Sequence, residues 1–231
     1  MRPYKVIFFD LDHTLWDYET NSCATLQELF SHHKLDQIGV TDCFVFQQQF
    51  RRVNTKLWEL FDTGKITSDV IRQQRFKQIL EHFEIVDEKL CETLSVEYLH
   101  SCPQKAALIP HAENVLNYLT ERYDMTIVTN GFDEIQTLKM TAGNLHRYFD
   151  HIVTSQKAGH RKPAKGIFEY AMKINNASAD EVVMIGDNLV TDIGGAINVS
   201  IDTIFFNPEK INHGVNVKHE IGCLSELQKI L

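Results

Sequence analysis

Asp10 and Asp12 stand one residue apart, directly after the apolar run Val6-Ile7-Phe8-Phe9. Like charges that close resist joint ionisation. A divalent cation, a shared proton or a chemical role would relieve the conflict, unless Asp10 simply ends a strand and Asp12 caps a turn. Further polar groupings follow: Thr129-Asn130-Gly131, Ser155, Lys162 before Pro163, and Gly186-Asp187 with Asp192 five residues on. Each has an ordinary explanation when taken singly. Thr-Asn-Gly suits a turn, because Gly permits positive φ and Asn tolerates it. A lysine is most often a solvated surface residue, and Gly-Asp can open a helix.

The elements that carry these residues decide whether they meet. Val6 to Phe9 is β-branched and aromatic without interruption, which suits a strand buried on both faces of a parallel sheet. After a helix opening at Pro110, strands and helices alternate. Strands are expected at Met125 to Val128, Ile152 to Thr154, Val182 to Ile185 and, last, Thr203 to Phe206. Helices are expected at Glu134 to Met140, Ala164 to Ile174, Ile193 to Asn198 and Leu224 to Leu231. This alternation predicts an α/β fold with a doubly wound parallel sheet, to which the first strand must also belong. Between Trp16 and Pro103 no strand signal occurs. Apolar residues there recur at three- and four-residue steps, as in Phe46, Phe50, Val53 and Leu57, or Phe76, Ile79, Leu80 and Phe83. Such spacing predicts a bundle of about four helices, with Thr67 or Ser68 placed to cap the third. The chain therefore reads as a core of residues 1–15 and 104–231, with a helical domain, 16–103, inserted after the first strand.

In an open parallel sheet, ligands bind at the carboxyl ends of the strands, and the polar groupings above converge there. Together they make a cation-plus-phosphate site. A metal neutralises the acids, while lysine, hydroxyl and backbone N–H groups take an anion. Taken in order, Asp10-Leu11-Asp12-His13-Thr14, Thr129-Asn130-Gly131, Lys162-Pro163 and Gly186-Asp187 with Asp192 resemble the four motifs of the haloacid dehalogenase-like hydrolase superfamily. The resemblance implies a Rossmann-like core with a type 1 cap, and the D-x-D first motif is similar to that of the phosphatase branches. More narrowly, Asn54-Thr55-Lys56-Leu57-Trp58, Gly64-Lys65-Ile66-Thr67 and Thr129-Asn130-Gly131-Phe132 resemble the pyrimidine 5′-nucleotidase-like group. His13 departs from the Gly or acid that many members carry.

By that resemblance Asp10 is the nucleophile, forming an aspartyl-phosphate, and Asp12 is the general acid and then the general base. Mg²⁺ is the implied cofactor, held by Asp10, the backbone carbonyl of Asp12 and Asp187, with Asp192 ordering the shell. The Thr129 hydroxyl and the Asn130 backbone N–H grip phosphoryl oxygens, and Lys162 steadies both Asp10 and the developing charge. The implied reaction is hydrolysis of a small phosphate monoester, most directly a nucleoside 5′-monophosphate, by a phosphoric monoester hydrolase. A sugar phosphate or phosphoglycolate phosphatase and a phosphomutase are the alternatives within enzymes. A receiver-like phospho-acceptor module is the alternative outside them, but receivers lack a second acid two residues on and an inserted helical domain. Trp16, Tyr18, Trp58 and Phe132 are the aromatic candidates for stacking on the substrate, Trp16 the more open and Trp58 beside a core-facing stripe.

Bulk properties narrow the partners. A formal net charge of −8 over 231 residues argues against polymeric nucleic acid as a partner. No stretch approaches the ~20 apolar residues that span a bilayer, and the N-terminal apolar run is too short for a signal peptide. Five cysteines without a C-x-x-C pair suit reduced thiols in a cytoplasmic protein. Eleven histidines lack helical ligand spacing and read mostly as surface residues. A monomer or a homodimer is expected.

Overall fold

The computed structural model describes residues 4–231. The chain divides into two compact units, one formed by the segment up to Tyr18 with Ala106–Leu231, the other by Glu19–Lys105. The expected divisions lay at 15/16 and 103/104. Trp16 is tied into the first unit through β-bridges to Asp12 and Leu108.

In the first unit six strands run in the order β3-β2-β1-β4-β5-β6. They are β1 (Val6–Phe9), β2 (Asp124–Thr129), β3 (His151–Thr154), β4 (Val182–Gly186), β5 (Asp202–Phe206) and β6 (His219–Ile221). Every pairing is parallel. All four residues of β1 are 0% exposed, as expected of a central strand covered on both faces. On one face Val6 and Phe8 pack with Val128, Val182, Met184, Ile167 and Phe168. Strand order reverses beside β1: the chain goes outward to β2 and β3, then crosses back to β4 on the other side. That reversal opens a crevice at the carboxyl ends of β1 and β4.

Two local readings change. β6 escaped the sequence because it is an edge strand of three residues, two of them polar. The segment Leu224–Lys229 forms a 3₁₀ helix, which lets Leu224 and Leu227, three apart, both bury fully.

The second unit is helical. It holds α1 (Tyr18–His32), α2 (Cys43–Asp62), α3 (Ser68–His82) and α4 (Glu88–Ser101). Phe46, Phe50, Phe76 and Tyr98 form its aromatic centre, with Phe50 and Tyr98 ring centroids 4.8 Å apart. Asp42 and Asp87 cap α2 and α4 by accepting from the Val45 and Leu90 N–H groups. Thr67 stands at the N-cap of α3, but its side chain makes no capping hydrogen bond. Among the described residues, no helix is long and apolar enough to cross a membrane.

Candidate active site

The loop after β1 folds back on itself: Leu15 and Trp16 N–H both donate to Leu11 O, and His13 N–H donates to Trp16 O. His13 takes φ 62° to close this turn, the conformation that costs Gly nothing. The fold-back also buries Trp16 completely, so Trp16 is a core residue and not an open stacking face. Phe132 is buried as well, while Tyr18 and Trp58 are half-buried.

Asp10 follows β1 and is 8% exposed; Asp187 follows β4. Asp192 was expected about where a helix from Ile193 to Asn198 begins. It lies within a π-helical turn, Leu189–Gly194, which leads into a helix shorter than expected, Gly195–Ile197. The Asn188 side chain accepts from Val190 and Thr191 N–H, and Asn188 O accepts from both Asp192 and Ile193 N–H. This widened turn carries Asp192 inward to full burial. Gly186 makes room for it, since a Cβ there would lie 2.3 Å from Asp192 Oδ2. The carboxylate oxygens of Asp10, Asp187 and Asp192 come within 4.8 Å of one another.

Lys162 Nζ donates to Asp10 Oδ1 at 2.6 Å and to Asp192 Oδ1 at 2.7 Å. Thr14 Oγ1 donates to Asp187 Oδ1 at 2.9 Å. Three carboxylates thus face one ammonium, two formal charges short of balance. The titration of these groups follows. Burial raises Asp10 well above its usual range, and Asp192 and Asp187 add to that against Lys162. Burial and Asp192 push Asp187 up to about 6. Burial opposes the charge on Lys162, but Asp10 and Asp192 outweigh it and its pKa is raised. An all-oxygen acidic set two charges short of neutrality fits one Mg²⁺.

Asp12 stands apart from that trio. Its Oδ1 accepts from Lys139 Nζ at 2.6 Å and its Oδ2 from Gln136 Nε2 at 2.9 Å. Burial alone would raise its pKa; Lys139 and Gln136 reverse this and hold it below the usual carboxylate range. Both partners lie on α6 (Asp133–Ala142), the helix that follows α5 (Ala112–Leu119) in the chain. Neither was expected, because a Gln and a Lys three residues apart on an amphipathic helix read as a solvated face.

The Thr129-Asn130-Gly131 segment is not a positive-φ turn; none of the three has φ above zero. Gly131 is needed for space, because a Cβ there would sit 2.0 Å from Gln136 Nε2. Thr129 Oγ1 accepts from Gln136 Nε2 and from Gly131 N–H. The Asn130 side chain, assigned no role from sequence, pairs with the Lys162 backbone. Ser155 Oγ donates to Asn130 O at 3.4 Å. In the helical unit His32, His33 and Glu97 also bring ligand atoms within 4.8 Å of one another. That grouping depends on a residue 64 positions away from His33, which local spacing does not reveal.

A parallel sheet with an acidic trio and one buried lysine at its switch point defines a hydrolase-type core, and comparison with known proteins agrees. The family model for haloacid dehalogenase-like hydrolase matches residues 7–206. The chain belongs to that family, on its phosphatase branch, and resembles the pyrimidine 5′-nucleotidase-like group within it. It is 32% identical over 213 residues to pyrimidine 5′-nucleotidase PynA of Streptococcus pneumoniae, covering 91% of this chain and 87% of that one. It is 30% identical to pyrimidine 5′-nucleotidase YjjG of Escherichia coli, covering 97% and 96%. Among solved structures, the putative HAD-hydrolase YfnB of Bacillus subtilis, described as bound to magnesium, superposes with a TM-score of 0.89 at 29% identity. That match covers 99% of each chain.

Proposed function

We propose that this phosphoric monoester hydrolase is a Mg²⁺-dependent phosphatase that acts through an aspartyl-phosphate on nucleoside 5′-monophosphates, pyrimidines ahead of purines. The observation that carries the reading is the charge arrangement: Asp10, Asp187 and Asp192 around Lys162, one divalent cation short of balance. The two nucleotidase relatives support the substrate class.

In this reading Asp10 attacks phosphorus, forming the aspartyl–phosphate bond as the bond to the leaving oxygen breaks. Asp12 gives that oxygen a proton, then takes one from the water that attacks the intermediate, so that phosphate leaves and both acids are restored. Asp12 rests as a carboxylate, ready for the second step; an arriving phosphate dianion favours its protonation for the first. The Thr129 hydroxyl and the Asn130 N–H donate to phosphoryl oxygens, and Lys162 neutralises charge at Asp10 and at the transferring group. Asp10, the Asp12 carbonyl and Asp187 would hold Mg²⁺, with Asp192 ordering the shell. The ion would supply charge neutralisation at the phosphoryl oxygens. The helical unit corresponds to the family's cap. Cysteines outside any disulfide fit a cytoplasmic enzyme.

The test measures phosphate release, with and without Mg²⁺, from UMP, dUMP, AMP, glucose 6-phosphate and phosphoglycolate. The expected result is Mg²⁺-dependent release with UMP and dUMP leading in kcat/KM, and none from Asp10→Asn, whose fold persists. A sugar phosphate or phosphoglycolate ahead by about tenfold, more than base stacking recovers at its lower end, would reject the nucleotide assignment. Activity in Asp10→Asn would reject the covalent route, and product formed without free phosphate would indicate a mutase.

A further inference from the structure

On the reading just proposed, Asp12 and Thr129 must each present one atom to the same phosphoryl group. We infer that Gln136 and Lys139, on one face of α6, are positioning residues that lock the Asp12 carboxylate and the Thr129 hydroxyl into a single unit. The inference rests on the phosphatase reading and adds two residues to it.

Positions three apart share a helix face, and here both side chains turn inward: Gln136 is 0% and Lys139 6% exposed. Each oxygen of Asp12 has its own donor, Lys139 Nζ on Oδ1 and Gln136 Nε2 on Oδ2. A carboxylate held at both oxygens cannot rotate out of line. A buried lysine needs partners, and Lys139 has more than one. Its Nζ lies 4.7 Å from the Trp16 ring centroid and 5.7 Å from that of Tyr18, within cation–π range. The ammonium is thus held by both rings as well as by Asp12.

Gln136 couples the two catalytic groups. The same Nε2 that reaches Asp12 donates to Thr129 Oγ1 at 2.8 Å, and Gly131 N–H donates to that oxygen at 3.1 Å. A hydroxyl oxygen has two lone pairs and one proton. With both lone pairs occupied, the Thr129 proton is the group left to donate, as a phosphoryl oxygen requires. The arrangement leaves Gln136 Oε1 buried with no partner among the described residues. A residue present only to fill space would not carry a buried orphan acceptor. Gly131 belongs to the same device, since a side chain there would collide with Gln136 at its Nε2, Cδ and Cγ.

The experiment uses the full chain with Mg²⁺, following steady-state turnover of UMP and rapid mixing with 4-nitrophenyl phosphate. Lys139→Met and Gln136→Met keep side-chain length and remove the donors. Each is expected to lower kcat by about tenfold to a hundredfold, the scale of an ångström of misplacement, with KM changed far less. The aryl ester, whose leaving group needs no proton, should then give a burst of nitrophenolate absent from the wild type, because breakdown of the phosphoenzyme depends on Asp12. Lys139→Arg should recover most of the loss. Variants that keep wild-type kcat would overturn the inference. So would variants that lose kcat and melting temperature together, with no burst and no recovery by Arg, which is the mark of a merely structural pair. A wild type without Mg²⁺-dependent turnover would overturn the phosphatase reading and this inference with it, an outcome distinct from the other two.

Discussion

Asn130 grips the peptide of Lys162 at both ends: its Nδ2 donates to Lys162 O at 2.9 Å, and Lys162 N–H donates to its Oδ1 at 2.7 Å. A side-chain amide here imitates one rung of a sheet. It fixes the backbone that aims the Lys162 ammonium between Asp10 and Asp192. Buried backbone groups that lose such partners cost about 1–3 kcal/mol each.

Asn130→Ala leaves both backbone groups unpaired and should therefore lower stability by roughly 2–6 kcal/mol and lower kcat as well, because Lys162 is no longer held in place. Asn130→Asp keeps the acceptor but turns a carboxylate oxygen toward Lys162 O, and should be nearly as damaging. Urea unfolding and turnover measured on the same samples check both. A stable, fully active Asn130→Ala would show the pairing to be incidental.

Asp12→Asn separates the half-reactions. With an aryl phosphate the first step needs no proton and should survive, while hydrolysis of the phosphoenzyme stalls. Rapid mixing should show a burst and then a slow phase. With UMP, whose alkoxide must be protonated, no burst is expected. Equal slowing on both substrates, with no phosphoenzyme trapped, would mean that Asp12 is structural.

Asp187 carries a pH signature. Its pKa is raised to about 6 by burial and Asp192, above the ordinary Asp value near ~3.9. A raised carboxyl pKa means the folded state binds the proton more tightly than the unfolded state. The group's stabilising contribution is complete below the unfolded pKa and is lost as pH rises through about 6. Without divalent metal, wild type should lose melting temperature relative to Asp187→Asn as pH climbs across that window. Millimolar Mg²⁺ should raise the wild-type melting temperature above the window and have little effect well below it. A gap between the two proteins that stays constant with pH would reject the assignment.

Arg75 of α3 gives a stability prediction independent of catalysis. It is 3% exposed and its Nη1 donates to Asn54 Oδ1 at 3.0 Å. Its Nε and Nη2 have no hydrogen-bond partner among the described residues, and its guanidinium faces the rings of Phe50, Phe76 and Tyr98. Replacing a buried, incompletely paired charge by an apolar side chain of similar volume is often neutral or stabilising. Arg75→Met should leave stability unchanged or higher, whereas Asn54→Leu, which removes that acceptor and keeps the charge, should destabilise by about 1.5–3 kcal/mol. Chemical denaturation of the two variants decides, and a large loss in Arg75→Met would contradict the argument.

The sequence by itself determined the α/β alternation, the helical insertion and the ordered set of strand-end residues. These are local signals. An apolar run of four followed by an acid marks β1 and Asp10 wherever the strand sits, and apolar periodicity marks α2 and α3 without reference to their neighbours. Even the convergence of Asp10, Asp187 and Lys162 was legible, because parallel strands bring their carboxyl ends to one edge whatever their order. Tertiary structure alone decided how the polar groups pair. Lys139 meets Asp12 across 127 positions and Gln136 meets it across 124, a contact that depends on β2 lying beside β1 and on the rotation of α6. Sequence spacing placed Asn130 at the site through its backbone, but not its side chain against Lys162. It placed Asp192 nearby, but not the π-helical turn that buries it, and left Trp16 open where the fold-back onto Leu108 encloses it. Local pattern records which face of an element is apolar. Which donor a buried carboxylate finds is settled only when two such faces are pressed together, because each buried polar atom must take whatever partner the packing brings within reach.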